Sequence, residues 1–261
     1  MDQNAWSEPA LAGRFADDAY ATVKGYVRTA VLHRQLLDHI APPPATVLDV
    51  GGGAGHQSLP LAEMGYDVTI LDSSAAMLGK AREQLARLDE SARERVELVE
   101  APGETARAAT GREFDVVLCH GVLGYLDGPD TMVAELCRCV APGGIVSIMT
   151  GNAETMALRP AMEGRWADAL TAFGSESEVG VLGVPTRADR ADDLGDLLQR
   201  GGVEPVARFG VWLFADLWEL GGRTLDDRTQ WPAFAEVEFE ASRRDPYRRL
   251  GRVFHLLGRR A

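Results

Sequence analysis

A chain of 261 residues, 46% hydrophobic and 25% charged, has enough apolar material for one α/β domain that carries an insertion. Its formal net charge of −12 argues against general affinity for nucleic acid. No apolar run reaches the length of a membrane span and no basic-then-apolar leader opens the chain. Three cysteines, an odd number, fit a reducing cytoplasm better than a disulfide framework.

Residues up to about Trp6 read as disordered. From Thr22 to Ile40 the apolar positions Val23, Val27, Ala30, Val31, Leu37 and Ile40 form one helical stripe, with Arg28 and Arg34 near its border. Ala41-Pro42-Pro43-Pro44 stops that helix, which therefore precedes the fold proper and is placed to cover a ligand mouth.

Val47-Leu48-Asp49-Val50, opened by Thr46, is a buried strand that breaks into Gly51-Gly52-Gly53-Ala54-Gly55. Gly51, Gly53 and Gly55 fall at Gly-x-Gly-x-Gly spacing, where missing side chains let the backbone approach a ligand. The dinucleotide fingerprint wants a third glycine one place further on, and His56 stands there. A helix over Gln57 to Met64 follows, and it should turn unpaired N–H groups towards that ligand.

Val68 to Leu71 is the second strand, and Asp72 ends it. A carboxylate there suits a ribose diol; helix capping is the competing reading, with Ser73 and Ser74 ahead of the helical run Ala75 to Leu88. Val96 to Val99 is the third strand, leading into a turn with Gly103 and Glu104. Phe114 to His120 is the fourth, a helix spans Pro129 to Val140, Pro142-Gly143-Gly144 is a turn, and Ile145 to Met149 is the fifth strand. Cys137 and Cys139 lie two apart on that helix without a second pair, so no metal site is expected.

Beyond Gly151 the periodicity weakens. Residues 151–188 read as a lid insertion, a helix over Ala153 to Phe173 followed by a loop through Gly174-Ser175-Glu176-Ser177-Glu178. A helix from Asp189 to Gly201, a strand from Val203 to Leu213, a helix from Trp231 to Arg243 and a last strand from Arg252 to Leu257 complete the chain. The expected architecture is α/β: a doubly wound, Rossmann-like, seven-stranded and mostly parallel sheet with a helical cap insertion. Its parts are a helical cap (1–44), a ligand-binding core (45–150), the lid (151–188) and the remainder of the core with a final hairpin (189–261). Asp49, Asp72, Gly103-Glu104 and His120 all fall at carboxyl ends of strands, where such sheets bind ligands.

Asp49-x-Gly51-x-Gly53-x-Gly55, the acid after strand two, the turn after strand three and Pro-Gly-Gly before strand five together resemble the class I S-adenosylmethionine (SAM) methyltransferases. Tyr20-x-x-x-Lys24-Gly25-x-x-Arg28, Cys119-His120-Gly121-Val122-Leu123 and Asp245-Pro246-Tyr247-x-x-x-Gly251-Arg252 resemble more narrowly the bacterial tRNA 5-carboxymethoxyuridine methyltransferase family. The resemblance implies SAM as cofactor and S-adenosylhomocysteine as product. It implies Arg28 on the SAM carboxylate, Gly52 and Gly53 at its methionine portion, Asp72 at the ribose, Gly103 and Glu104 at the adenine edge, and His120 near the sulfonium, with Asp49, Gly51, Gly55 and Ser73 completing the expected cofactor-binding set. Arg28 equally reads as a snorkelling helix arginine, His120 as a satisfied strand-end histidine, and Tyr125 as a base-stacking ring or a core ring.

A carboxylate acceptor needs only alignment and shielding, without a general base, so O-methylation of a carboxylate is the expected chemistry and 5-carboxymethoxyuridine in tRNA the expected acceptor. The insertion departs from the family in being acidic, which favours a small acidic or phenolic metabolite; a non-catalytic SAM-binding module is a third reading. The tail residues Arg243, Arg244, Arg248, Arg249, Arg252, Arg259 and Arg260 form either an anion-binding face or a solvated edge. Arg248 and Arg252 are the candidates to hold an acceptor carboxylate. Oligomeric state is unknown.

Overall fold

The computed structural model describes residues 21–179 and 185–261, so the N-terminal stretch read as disordered and Tyr20 of the family motif lie outside the described residues. The first described helix, α1 (Val23–Leu37), starts where Thr22 accepts the Gly25 N–H at 3.1 Å, and it buries Val27, Val31, Leu32 and Leu36. Strands β1 (Thr46–Val50), β2 (Asp67–Asp72), β3 (Val96–Glu100), β4 (Phe114–His120) and β5 (Val140–Gly151) run parallel, and β8 (Val203–Val211) and β9 (Val253–Arg260) close the sheet. The order is β3-β2-β1-β4-β5-β9-β8, with β9 antiparallel to both neighbours. Chain order therefore reverses between β1 and β4, which sets the crevice at their carboxyl ends.

Central parallel strands are buried on both faces, and their sequences are correspondingly apolar. Val50, Leu71, Val117, Cys119, Val146 and Ile148 pack on one face with Met132, Val133 and Leu136 of α6 (Asp130–Cys139). Val47, Val68, Ile70, Val116, Leu118 and Ile145 pack on the other with Leu36 of α1. Between α1 and α6 lie four further helices: α2 (Leu59–Glu63), α3 (Ala75–Leu85), α4 (Glu90–Arg93) and α5 (Ala106–Thr110). The three cysteines are buried and free, and no group able to hold a metal occurs among the described residues.

Several expected elements change shape. The helix after the glycine turn is only α2, five residues long, so it gives little dipole to a ligand. Pro142-Gly143-Gly144 is a bulge within a continuous β5, where the register against β4 jumps between Phe114 and Val116. The single helix expected over 153–173 is broken into a 3-10 turn (Ala153–Thr155), α7 (Leu158–Met162) and α8 (Trp166–Ala172), since Gly164 takes a φ of +73° between the last two. The expected loop after Gly174 contains a two-stranded ribbon, β6 (Ser177–Val179) with β7 (Pro185–Arg187). After α9 (Ala191–Arg200), an unexpected helix, α10 (Phe214–Leu220), follows β8 and precedes α11 (Trp231–Ser242).

The insertion leaves and rejoins the sheet at one place. Asp189 donates its N–H to Gly151 O at 2.9 Å and accepts that of Ala153 at 2.9 Å, so Asn152 and Asp189 form a parallel bridge. Asn152 Nδ2 also donates to Gly251 O at 2.9 Å, tying this junction to the start of β9.

Candidate active site

The glycine loop sits over the crevice between β1 and β4. Gly51 and Gly52 both donate to Leu71 O, at 2.7 and 3.2 Å, which folds the loop back onto β2. Gly53, at φ +56°, donates to Asp72 Oδ2 at 2.9 Å. A Cβ on Gly52 would stand 2.7 Å from the Asp49 carboxyl and 2.9 Å from Ile70, so no side chain fits there.

Asp49 lies beneath this loop, 2% exposed. Burial pushes its carboxyl up to about 6, the Ser58 hydroxyl and the Arg28 guanidinium pull it down, and the Asp72 charge adds to the rise. Asp49 thus braces the loop from below. Asp72 is different: Oδ1 accepts the Ser74 N–H at 2.8 Å, Oδ2 accepts Gly53, and each oxygen keeps a lone pair. The helix cap is Ser74, whose side chain accepts the Met77 N–H. Capping therefore does not account for Asp72. Ser73 is exposed at the same turn.

Arg28 reaches from α1 across the tip of β4. It is 7% exposed rather than snorkelling, and Nη2 lies 3.4 Å from His120 O and 3.2 Å from where a Cβ on Gly121 would be. Burial holds the His120 imidazole well below its usual range, helped by His255 and Arg28. Gly103 opens the 3-10 turn Gly103–Thr105, and a Cβ there would meet Met132 at 2.6 Å and Val50 at 2.9 Å; Glu104 follows it, half-buried. Tyr125 is half-buried in a second 3-10 turn, Leu123–Tyr125, whose Leu123 O accepts Arg187 Nη2 of β7 at 3.1 Å. The insertion is thereby pinned beside the crevice.

The two tail arginines separate. Arg248 forms a bidentate pair with Asp245, both contacts 2.9 Å, at the surface. Arg252 turns inward, 3.9 Å from Asp216 of α10, where Lys24 (2.8 Å) and Arg159 of α7 (3.1 Å) converge on the same oxygen. Arg243 and Arg244 both pair with Glu240, Arg249 with Asp245 and Arg260 with Glu113. Four of the tail arginines are thus paired with nearby Glu240 and Asp245. Sequence reasoning missed the Asp216 cluster and a set of buried polar residues: Gln35, Gln57, Ser147 and His255. Their partners lie up to 220 positions away, beyond any local spacing signal.

A methyltransferase domain profile matches residues 48–146. The chain is 26% identical over 253 residues to the tRNA 5-carboxymethoxyuridine methyltransferase of Escherichia coli (strain K12), covering 96% of this chain and 94% of that one. It is 28% identical over 204 residues to the ubiquinone biosynthesis O-methyltransferase of Sinorhizobium fredii (strain NBRC 101917 / NGR234), covering 75% and 76%. Its fold matches the crystal structure of magnesium protoporphyrin IX methyltransferase (ChlM) from Synechocystis PCC 6803 with bound S-adenosylhomocysteine, at a TM-score of 0.59 and 16% identity over 92% and 86% of the two chains. With the sheet order and the glycine loop, these findings identify the chain as a class I SAM-dependent methyltransferase.

Proposed function

We propose that this enzyme methylates a carboxylate oxygen, and that the acceptor is 5-carboxymethoxyuridine in tRNA. The similarity to the tRNA enzyme runs nearly end to end, and that observation carries the reading. The site's chemistry supports it. His120 is held neutral, and burial keeps the Cys119 thiol protonated far above neutrality, so neither takes a proton readily. A carboxylate is already a nucleophile and asks for none.

The crevice fits the cofactor. Gln57 Nε2 and His120 Nδ1 are buried and have no hydrogen-bond partner among the described residues, which marks places for a polar ligand. Arg28 would fork onto the cofactor carboxylate, the Gly51–Gly55 backbone would pass under the methionine chain, Asp72 would take the ribose hydroxyls with its remaining lone pairs, and Gly103-Glu104 would border the adenine. Bound SAM supplies an electrophilic sulfonium methyl. The protein's share is to align the acceptor oxygen behind that methyl and to exclude water, with the pinned insertion and Tyr125 on the acceptor side.

A second reading, a small acidic or phenolic acceptor, is favoured by the tail arginines being paired with Glu240 and Asp245 and by the net charge of −12. Labelled SAM incubated with tRNA carrying 5-carboxymethoxyuridine, and separately with a panel of small acids and phenols, decides between them. Alkali-labile label in tRNA is the expected result. Label in a free acid or phenol with none in tRNA would replace it by the second reading.

A further inference from the structure

His120 is one end of a buried chain of polar side chains that crosses from the sheet to the first helix. His120 Nε2 lies 2.8 Å from Ser147 Oγ on β5, and that oxygen lies 2.7 Å from His255 Nε2 on β9. His255 Nδ1 lies 2.7 Å from Gln35 Oε1 on α1, and Gln35 Nε2 donates to Ser242 Oγ at 2.8 Å. Ser242 Oγ donates to the Phe239 carbonyl at 2.7 Å. Ser147, His255 and Gln35 are fully buried, Ser242 is 3% exposed and His120 is 8% exposed.

The far end of this chain sets its direction. Phe239 O belongs to the last turn of α11, and the Arg243 N–H that a longer helix would send to it goes to Ala241 O instead. A carbonyl only accepts, so the one hydroxyl hydrogen of Ser242 is committed to it. Gln35 must then donate to Ser242 with its amide nitrogen, which turns its oxygen towards His255. That oxygen also only accepts, so His255 carries its hydrogen on Nδ1 and has a bare Nε2. Ser147 donates to that Nε2 and so must accept from His120, whose hydrogen sits on Nε2. The remaining His120 nitrogen, Nδ1, is left as a lone pair, buried at the tip of β4 and unbonded by any described residue.

We propose that Gln35, Ser147, Ser242 and His255 are positioning residues that lock His120 as the Nε2–H imidazole, so that its Nδ1 permanently accepts a hydrogen from bound ligand. The donor is either an N–H of the cofactor's ammonium group or a hydroxyl that the methyl acceptor carries beside its reacting, ionised oxygen. Only this ligand half rests on the cofactor reading above. Protonation is opposed from both sides: His255 faces the ring at a centroid distance of 5.4 Å, and the Arg28 guanidinium lies against the same residue's carbonyl. His120 is thus an acceptor of a hydrogen bond rather than of a proton, which suits an acceptor group that arrives already ionised.

Imidazole 15N resonances of the full chain at pH 7 test this. In ligand-free protein His120 should show a protonated Nε2 and a bare Nδ1, and His255 the reverse. Gln35→Met should erase that pattern, and Gln35→Glu should restore it at His255, because a carboxylate still accepts from Nδ1–H. Adding S-adenosylhomocysteine should move His120 Nδ1 upfield if the ammonium is the donor, and its deamino analogue should not. A shift that appears only when a hydroxyl acceptor joins S-adenosylhomocysteine assigns the O–H source. A His120 with Nδ1–H or a charged ring at pH 7 overturns the relay, as does an Nδ1 unmoved by every ligand that calorimetry shows to bind. The parent spectrum alone suffices if Gln35→Met fails to fold. Calorimetry showing no S-adenosylhomocysteine binding would instead count against the cofactor reading.

Discussion

Asp72 Oδ2 accepts the Gly53 N–H at 2.9 Å, so the glycine loop after β1 and the tip of β2 share one carboxylate. The loop's position and, on the proposed reading, the ribose site are therefore set by the same side chain.

Asp72→Asn keeps the shape but leaves one oxygen to do the work of two and places an NH2 against a backbone donor. SAM affinity should fall by about 1–3 kcal/mol, roughly ten- to a hundredfold. Calorimetry measures this; an unchanged Kd would confine Asp72 to holding the loop.

Arg28→Lys tests the buried guanidinium. An ammonium retains the charge but cannot present two parallel N–H groups to a carboxylate, so SAM binding should weaken about tenfold while the melting temperature changes little. The carboxylate role fails if the lysine variant binds SAM as tightly as the parent.

Asp49 gives a pH dependence of known sign. Its carboxyl titrates near 3.8 in the unfolded chain and at about 6 in the fold, so between these values the folded state holds a proton that the unfolded state has released. The stability this contributes is full below 3.8 and is lost as pH rises through about 6, a change on the order of 3 kcal/mol. Asp49→Asn should therefore exceed the parent in urea resistance at pH 7, with the gap closing towards pH 4. Parallel stability curves from pH 4 to pH 7 would show that Asp49 is not held protonated.

Glu240 and Asp245 pair with four tail arginines between them. The double variant Glu240→Gln, Asp245→Asn releases these cations. If the tail tracks tRNA, binding should tighten and its salt dependence should steepen by about one unit of slope per arginine that finds a phosphate. Filter binding across a salt series reads both, and an unaltered slope would leave the tail as a solvated edge.

The five parallel strands, the glycine loop and the acid at the end of β2 were legible because each is a local pattern: apolar runs, glycine spacing, an acid about 20 residues on. What was not legible depends on distant partners. Pro142-Gly143-Gly144 has turn chemistry, yet β5 continues through it, with Arg260 of the neighbouring β9 donating to Val140 O. Phe214–Leu220 has no strong periodicity of its own. Its Asp216 and Glu219 are held by Lys24 and Arg159, and Glu238 accepts the N–H groups of Leu213 and Ala215 at its start. His255 reads as one more residue of an apolar strand until Gln35 and Ser147 are placed beside it.

The bridge between Asn152 and Asp189 has a consequence for how such an enzyme diversifies. Because the excursion between them starts and ends at one clasp, its length hardly affects the sheet, and closing a longer loop costs only about 0.6 kcal/mol per doubling. The segment behaves as an interchangeable cassette: residues can be added, removed or recharged within it while the glycine loop and its carboxylates keep their geometry. On the proposed reading, in which this segment borders the acceptor, acceptor preference and cofactor affinity become separable traits along one chain.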